Sequence, residues 1–430
     1  MMRLIDLRSS SQMPSVVIPR AELDIESAVK TVTPIIKDVE LKGDEAILDW
    51  TLKLDGVKPA SLKVPQEIID QAFSEMSSDV IEALEESIRR SRIVHQSQVR
   101  DEKTTQVVPG GTVSEKWLPV ERVGLYVPGG NAVYPSSVIM NVIPAQVAEV
   151  SSIAVASPAQ RENNGWPNKT ILAACKLLNI DEVYAVGGAQ AIAMFAYGTK
   201  TCRPVSMITG PGNIYVTAAK RILRGIVGID SEAGPTEILI LADKSGNAKW
   251  IAADLISQAE HDEIAASVLV TDSEELIKNV NIEITSQINQ TKHSERIKKA
   301  LTGIQSALVL VKNMEQGLLV VDQYAAEHLE IHTENAREMA YRVRNAGAIF
   351  IGPHSPVSLG DYLAGSNHVL PTGKCACHSS GLSVQTFLRG VHYIDYSEQA
   401  LNDSKDHIRN LAQAEDLPAH SQAVEVRFDN

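Results

Sequence analysis

The stretch RVGLYVPGGNAVYPSSVIMNVIPAQVAEVSSIAVASP (122–158) decides the fold. Its opening run, RVGLYV (122–127), has the composition of a strand, and Pro128-Gly129-Gly130 breaks it at a turn. SVIMNVIPAQVAEV (137–150) then has the length of a helix, and SIAVASP (152–158) is a second short apolar run. A strand, a helical crossover and a further strand make a βαβ unit, because parallel neighbours need a long connection between them.

Read outward, the alternation continues on the C-terminal side. TILAACKLLNI (170–180) is a helix and EVYAVGGAQ (182–190) a strand running into AIAMFAYG (191–198). VSMITGPG (205–212), IYVTAAKRILRG (214–225) and EILILAD (237–243) read as strand, helix and strand. Beyond them, SVLVTDS (267–273), SALVLV (306–311), GLLVVDQ (317–323) and AGAIFIG (346–352) read as strands. Helical patterns cover 275–290, 294–304 and 336–345. On the N-terminal side, residues 1–22 read as an arm holding Pro14 and Pro19. Residues 21–98 have apolar positions every three or four residues, as in IESAVKTVTPIIKDV (25–39) and VIEALEESIRRSRIV (80–94). The last fifty residues look like an appended unit with a helix at 404–415. The fold class expected is α/β.

Composition agrees with layers of this kind. At 430 residues the chain exceeds one ordinary domain. It is 44% hydrophobic but only 4% aromatic, so Ala, Val, Ile and Leu must fill the core, as suits α/β layers. A net charge of −13 disfavours nonspecific binding to nucleic acid or an anionic membrane. No run approaches the roughly 18–20 apolar residues of a membrane span, and the first ten residues lack a signal peptide's apolar centre. The expectation is a soluble, cytoplasmic protein. Its cysteines (Cys175, Cys202, Cys375, Cys377) make no disulfide framework, and CACH (375–378) lacks the second Cys/His pair of a zinc finger.

Three Gly-rich corners stand at strand ends: PGG (128–130), VGG (186–188) and TGPGN (209–213). Backbone NH groups at such corners suit a phosphate-bearing ligand, although GxGxxG is absent and tight turns would also require glycine. In ISQAEHDE (256–263), Gln258 and His261 share a helix face and are either metal donors or a polar helix end. AAEHLE (325–330) sets Glu327 beside His328; both reach one site only from a turn, since a strand would point them apart. Asp361 and His368 lie in LGDYLAGSNHVLPTG (359–373), and Glu415 and His420 in AEDLPAHSQAV (414–424). Gln258, His261, Asp361 and His420 would be nitrogen and oxygen donors without thiolate, as a catalytic zinc requires, leaving Glu327 and His328 free for acid–base work. Spacing alone leaves this as a metal site beside a nucleotide site.

These stretches together resemble the histidinol dehydrogenase family. The resemblance rests on 122–145, VGGAQAIA (186–193), GPGNIYVTAAKR (210–221), AGPTEILILAD (233–243), DLISQAEHD (254–262), AAEHLE (325–330), GDYLAGSNHVLPT (360–372) and EDLPAH (415–420), in one order between about 105 and 424. It implies two Rossmann-like, aldehyde-dehydrogenase-like parallel-sheet domains: NAD-binding at 122–236, and zinc-binding and catalytic at 23–121 with 237–377. The N-terminal arm would span 1–22 and a dimerisation tail 378–430. It implies zinc ligation by Gln258, His261, Asp361 and His420, and NAD contacts from Tyr126, Gln190 and Asn213. Thr236, His328 and Glu415, with the zinc ligands, would touch the substrate. The implied reaction is oxidation of L-histidinol to L-histidine through histidinal with two NAD⁺, Glu327 and His328 being the catalytic pair. A homodimer is implied in which Glu415 and His420 complete the neighbour's site. Two departures stand out: Thr236 where Ser is common in the family, and Asp416 where Gly is common, which adds negative charge beside Glu415. The alternatives are a sister zinc and NAD enzyme acting on another small alcohol, and a zinc hydrolase using Glu327 as base.

Overall fold

A computed structural model of the chain describes residues 2–9, 18, 20–21, 24–129, 133–232 and 234–429. Gly130 of the first glycine corner and half of the expected arm (1, 10–17, 19 and 22) lie outside them.

The chain opens with β1 (Arg3–Asp6). Four helices follow: α1 (Ile25–Lys42), α2 (Asp44–Leu54), α3 (Gln66–Ser74) and α4 (Ser78–Gln96). β2 (Lys103–Val108) and β3 (Gly111–Pro119) form a hairpin. Then the βα alternation begins with β4 (Arg122–Tyr126), α5 (Pro135–Val147), β5 (Ser152–Ser157), α6 (Lys169–Leu177), β6 (Val183–Ala185) and α7 (Gly188–Tyr197). It continues with β7 (Met207–Thr209), α8 (Ile214–Leu223) and the short β8 (Gly228–Ile229). These strands make a five-stranded parallel sheet ordered β6-β5-β4-β7-β8. The chain order reverses between β4 and β7, so a crevice opens at their carboxyl ends, where doubly wound sheets bind ligands.

The second half repeats the plan. It runs β9 (Glu237–Ala242), α9 (Ala248–Ala259), β10 (Ala266–Thr271), α10 (Glu274–Gln287), α11 (Ser294–Thr302), β11 (Ala307–Leu310), α12 (Met314–Tyr324), β12 (His328–His332), α13 (Ala336–Arg342), β13 (Ala348–Ile351) and α14 (Val357–Tyr362). The sheet order is β1-β11-β10-β9-β12-β13, again all parallel. Both sheets are apolar on both faces, which is why their strands read as continuous hydrophobic runs. The α/β expectation of two parallel-sheet units holds. The tail adds β14 (Leu388–Tyr396), α15 (Glu398–Ala414) and α16 (Pro418–Glu425). β14 pairs antiparallel with β3 to give a third, three-stranded sheet that the sequence reading did not anticipate.

Several expectations need correction. The helices of 25–96 pack on the five-stranded sheet, and α4 also reaches 237–377, where Ser87 Oγ donates to the Tyr362 carbonyl and Arg90 to that of Leu363. Ala28, Val32, Ile36 and Ile47 share a core with Tyr126, Tyr184 and Phe195, and Ile69 and Leu84 share one with Val138 and Ile171. Periodicity reveals a buried stripe on a helix but not which sheet receives it. The first residues of the supposed arm are the edge strand β1, paired with β11, and Met2, Ile5 and Leu7 are buried against the six-stranded sheet. GLLVVDQ is helical, within α12. Asn313 caps that helix with its side chain on Gln316 N, and Gly317, Leu318, Val320, Val321 and Tyr324 form its buried stripe. A short apolar run of this kind suits either a strand or a buried helix. The tail does not begin cleanly at 378 either, because Val384 and Phe387 are buried in the first core.

Candidate active site between the two sheets

The three glycine corners all follow carboxyl ends of strands in the five-stranded sheet, those after β4 and β7 flanking the reversal point. Two glycines are required by backbone geometry. Gly188 has φ +59, and Gly210 has φ +116 with a Cβ there falling 2.0 Å from the Tyr126 carbonyl oxygen. Lys220 braces the second loop from beneath, its Nζ 2.5 Å from the Gly210 carbonyl and 2.6 Å from Asp230 Oδ1, while Asp230 Oδ2 accepts from Gly210 N.

The expected NAD residues occupy these corners in different ways. Tyr126 is buried, accepts a hydrogen bond from Gly188 N at 3.1 Å, and has its phenol pushed up to about 12 by burial. It supports the corner from below as a neutral phenol. Asn213 is exposed and caps α8, its Oδ1 accepting from Tyr215 N and Val216 N, which leaves its amide NH₂ free to donate. Gln190 is buried, and its Oε1 has no hydrogen-bond partner. A buried polar atom left unpaired is costly, so this corner suits a donor that the described residues do not supply.

The acid–base residues stand at the opposite kind of edge, the amino ends of β9 and β12. Glu327 comes from the turn after α12, where Ala325 takes φ +49, and His328 is the first residue of β12. The turn gives both side chains one site, as their adjacency required. Glu327 Oε2 accepts from Thr236 Oγ1 at 2.6 Å and from Glu237 N at 3.0 Å. His328 Nδ1 lies 3.2 Å from the Glu237 carbonyl and 3.5 Å from Glu327 Oε2. A carbonyl only accepts, so Nδ1 carries the hydrogen and Nε2 keeps its lone pair. That Nε2 is buried and without a partner.

Glu237, which the sequence reading passed over, organises this edge. Burial pushes its carboxyl up to about 7, with Arg20 opposing the shift and Glu327 adding to it. Arg20 pairs with Glu237 Oε2, stacks 3.9 Å over the Tyr324 ring, and Gly373 N donates to Glu237 Oε1 at 3.2 Å. A charged residue opening the otherwise apolar run EILILA was the available signal.

Gln258 ends the buried face of α9 and donates from Nε2 to Thr236 Oγ1 at 2.6 Å, while its Oε1 is buried and unpartnered. His261 follows the helix, with Nδ1 3.3 Å from the Ser257 carbonyl. Asp361 lies in α14, and the loop after it is tied across to the other sheet: His368 Nε2 is 3.1 Å from Ser137 Oγ and its Nδ1 3.1 Å from the Asp361 carbonyl. Burial pushes His368 down; the Asp361 carboxylate opposes this, and His328 and His261 reinforce it. Tyr134, just before α5, feels the charges of Asp262 and Asp361. Hydrogen bonds through Thr236 join Gln258 to Glu327 beside His328, and His261 and Asp361 are close enough for their charges to act on His368, so these residues gather near the amino edge of the six-stranded sheet.

Gln258, His261 and Asp361 fit a zinc ion as a thiolate-free donor set that lacks one partner. Glu415 and His420 make no hydrogen bond or ion pair with these residues among those described. Both are exposed, Glu415 at the end of α15 and His420 in α16. Among the described residues, no hydrogen bond or ion pair of 398–429 reaches 234–377. Asp416 takes φ +54 just past α15, which explains why glycine suits this position, and it is exposed.

Among the described residues, one group of three His, Cys, Asp or Glu has ligand atoms within 4.8 Å of one another: Asp254, Glu330 and His332. The CACH run is not part of such a group. Asp254 is pushed up to about 8, chiefly by burial and then by the Glu330 carboxylate. Glu330 accepts from Val357 N at 2.8 Å and lies 3.2 Å from His332 Nε2.

A family model described as histidinol dehydrogenase matches residues 18–428, well upstream of the motifs that begin near 105. A histidinol dehydrogenase from Thermobifida fusca is 62% identical over 424 residues, covering 99% of this chain and 97% of its own length. Another from Corynebacterium glutamicum is 57% identical over 435 residues, covering 100% of this chain and 98% of its own. The crystal structure of histidinol dehydrogenase from Elizabethkingia anophelis superposes with a TM-score of 0.93 at 31% identity, covering 99% of this chain and 98% of that one.

Proposed function

The chain belongs to the histidinol dehydrogenase family, and from that premise we propose that its two-sheet cleft oxidises L-histidinol to L-histidine with one zinc ion and two NAD⁺. The oxidoreductase activity itself follows from relatives 62% and 57% identical that span the chain, and a sister enzyme acting on another alcohol is not favoured.

Gln258, His261 and Asp361 would hold the zinc, with His420 as fourth ligand, and the corners bearing Tyr126, Gln190 and Asn213 would receive NAD. Zinc held there would supply Lewis acidity to anchor the substrate, and NAD⁺ would supply the acceptor for a hydride that no side chain can carry. The bare Nε2 of His328 takes the hydroxyl proton in the first oxidation, its opposite nitrogen being committed to the Glu237 carbonyl. Glu327 takes a proton from the water that adds to the aldehyde, and His328 acts again in the second oxidation. Thr236 and Glu415 would contact substrate. The burial of Glu327 and His328 keeps the aldehyde from bulk water.

The observation that carries the zinc reading is Gln258 Oε1, a buried acceptor with no donor among the described residues. The exposed positions of Glu415 and His420 support a homodimer in which each tail completes the neighbour's site. A cytoplasmic location suits a biosynthetic enzyme of this family, and no helix among the described residues is long and apolar enough to cross a membrane. The test is stoichiometry: about two NADH formed per L-histidinol consumed, lost on zinc removal and restored by zinc. No turnover of L-histidinol, or full turnover by metal-free protein, would defeat the reading.

A further inference from the structure

We propose that Thr236 is a positioning residue whose single hydroxyl fixes the orientation of both the Gln258 amide and the Glu327 carboxylate. The reading rests on the zinc site proposed above. A threonine hydroxyl has one hydrogen to donate. Thr236 Oγ1 stands 2.6 Å from Glu327 Oε2 and 2.6 Å from Gln258 Nε2. A carboxylate can only accept, so the hydroxyl hydrogen must go to Glu327. Oγ1 is then an acceptor towards Gln258, and only the NH₂ end of that amide satisfies it. The carbonyl end is thereby turned outward, where Oε1 is buried and unpartnered.

An amide has two ends of nearly equal shape, and only the oxygen can bind a cation. Gln258 is a useful ligand only while something selects its orientation, and Thr236 Oγ1 is its hydrogen-bond partner on the Nε2 side among the described residues. The same hydroxyl, with Glu237 N at 3.0 Å, confines Glu327 Oε2, so the other carboxylate oxygen is the one left for a water molecule. Thr236 thus links the ligand on α9 to the base before β12 without being required to touch either the metal or the substrate. Ser in its place would keep the hydroxyl and preserve the link.

The test compares Thr236→Val, which keeps the shape and removes the hydroxyl, with Thr236→Ser, both as full-length protein. Zinc affinity is read by competition with a chromogenic chelator, without substrate, beside kcat and KM for L-histidinol. Thr236→Val should bind zinc about 10–100-fold more weakly, the range for loss of a partner behind a metal ligand, with kcat reduced as well. Thr236→Ser should restore both to within about threefold. Unchanged zinc affinity in Thr236→Val with only KM raised would overturn the proposal and make Thr236 a plain substrate contact. If the unmutated protein binds no zinc, the site reading itself has failed, which the control separates from failure of the Thr236 link. Circular dichroism of the Val variant excludes loss of zinc through unfolding.

Discussion

Glu327 Oε2 is held from two directions, by Thr236 Oγ1 at 2.6 Å and by Glu237 N at 3.0 Å, while His328 leans on the carbonyl of the same Glu237. The backbone of Glu237, the first residue of β9, therefore sets both acid–base groups. The arrangement makes Glu327→Gln a clean variant, because the amide oxygen can accept the same two hydrogen bonds and the fold is undisturbed. It should keep its zinc and lose about 10²–10⁴-fold in histidine formation, the usual worth of a positioned base. His328→Asn should likewise keep zinc and lose turnover. Metal analysis beside steady-state NADH production checks both, and loss of zinc from either variant would contradict the roles given.

In the proposed zinc shell His261 would be one of two imidazoles beside an amide and a carboxylate, so its loss would remove one of the two strongest neutral donors. His261→Asn should release zinc on dialysis and be inactive. Full occupancy in that variant, measured by atomic absorption, would remove His261 from the ligand set.

The two parallel sheets were legible in the sequence because buried strands are apolar throughout and alternate with helices of ten to fifteen residues. So were the residues of the cleft, since Gln258 with His261 and Glu327 with His328 lie close together in the chain. What stayed hidden was relational. The stripe on α1 gives no hint of which sheet it covers, and GLLVVDQ is as apolar as a strand although Asn313 caps it as a helix. Glu237 and Lys220 look like ordinary charges until their burial and partners are known. The amino-edge position of Thr236, Gln258, Glu327 and His328 also escaped, because general rules direct attention to carboxyl edges.

Asp254 offers a test of buried charge away from the catalytic pair. It is pushed up to about 8 by burial and by Glu330, with His332 on the other side of that carboxylate, whereas an unfolded Asp titrates near 3.9. Between those values the folded chain holds a proton that the unfolded chain releases. Stability from this group is therefore full below about pH 4 and is lost as the pH rises towards 8. Asp254→Asn removes the dependence, so its melting temperature relative to the unmutated protein should rise between pH 5 and pH 8.5, with zinc saturating at both. An identical difference at the two pH values would show that Asp254 is ionised in the fold.

Asp416 sits at φ +54 directly after α15, where an L side chain is strained and glycine is not. Asp416→Gly should stabilise by about 0.5–1 kcal/mol, the relief of the left-handed backbone less the added freedom of the unfolded chain. Thermal melting reads this directly. If the carboxylate instead matters through its charge beside Glu415, the variant would change KM for the partly cationic substrate with no gain in stability.

The last prediction concerns the exposed tail. His420 lies in α16, joined to the rest of the chain through β14 and its pairing with β3. If each tail serves the neighbouring subunit, a dimer formed from one His261→Asn chain and one His420→Asn chain has one cleft with both defects and one with neither. Co-expressed with different tags and purified through both, such a mixed dimer should regain close to half the activity of the unmutated enzyme and bind about one zinc. Each variant alone should be inactive. Service in cis would instead place one defect in every cleft, and the mixed dimer would be as inactive as its parents.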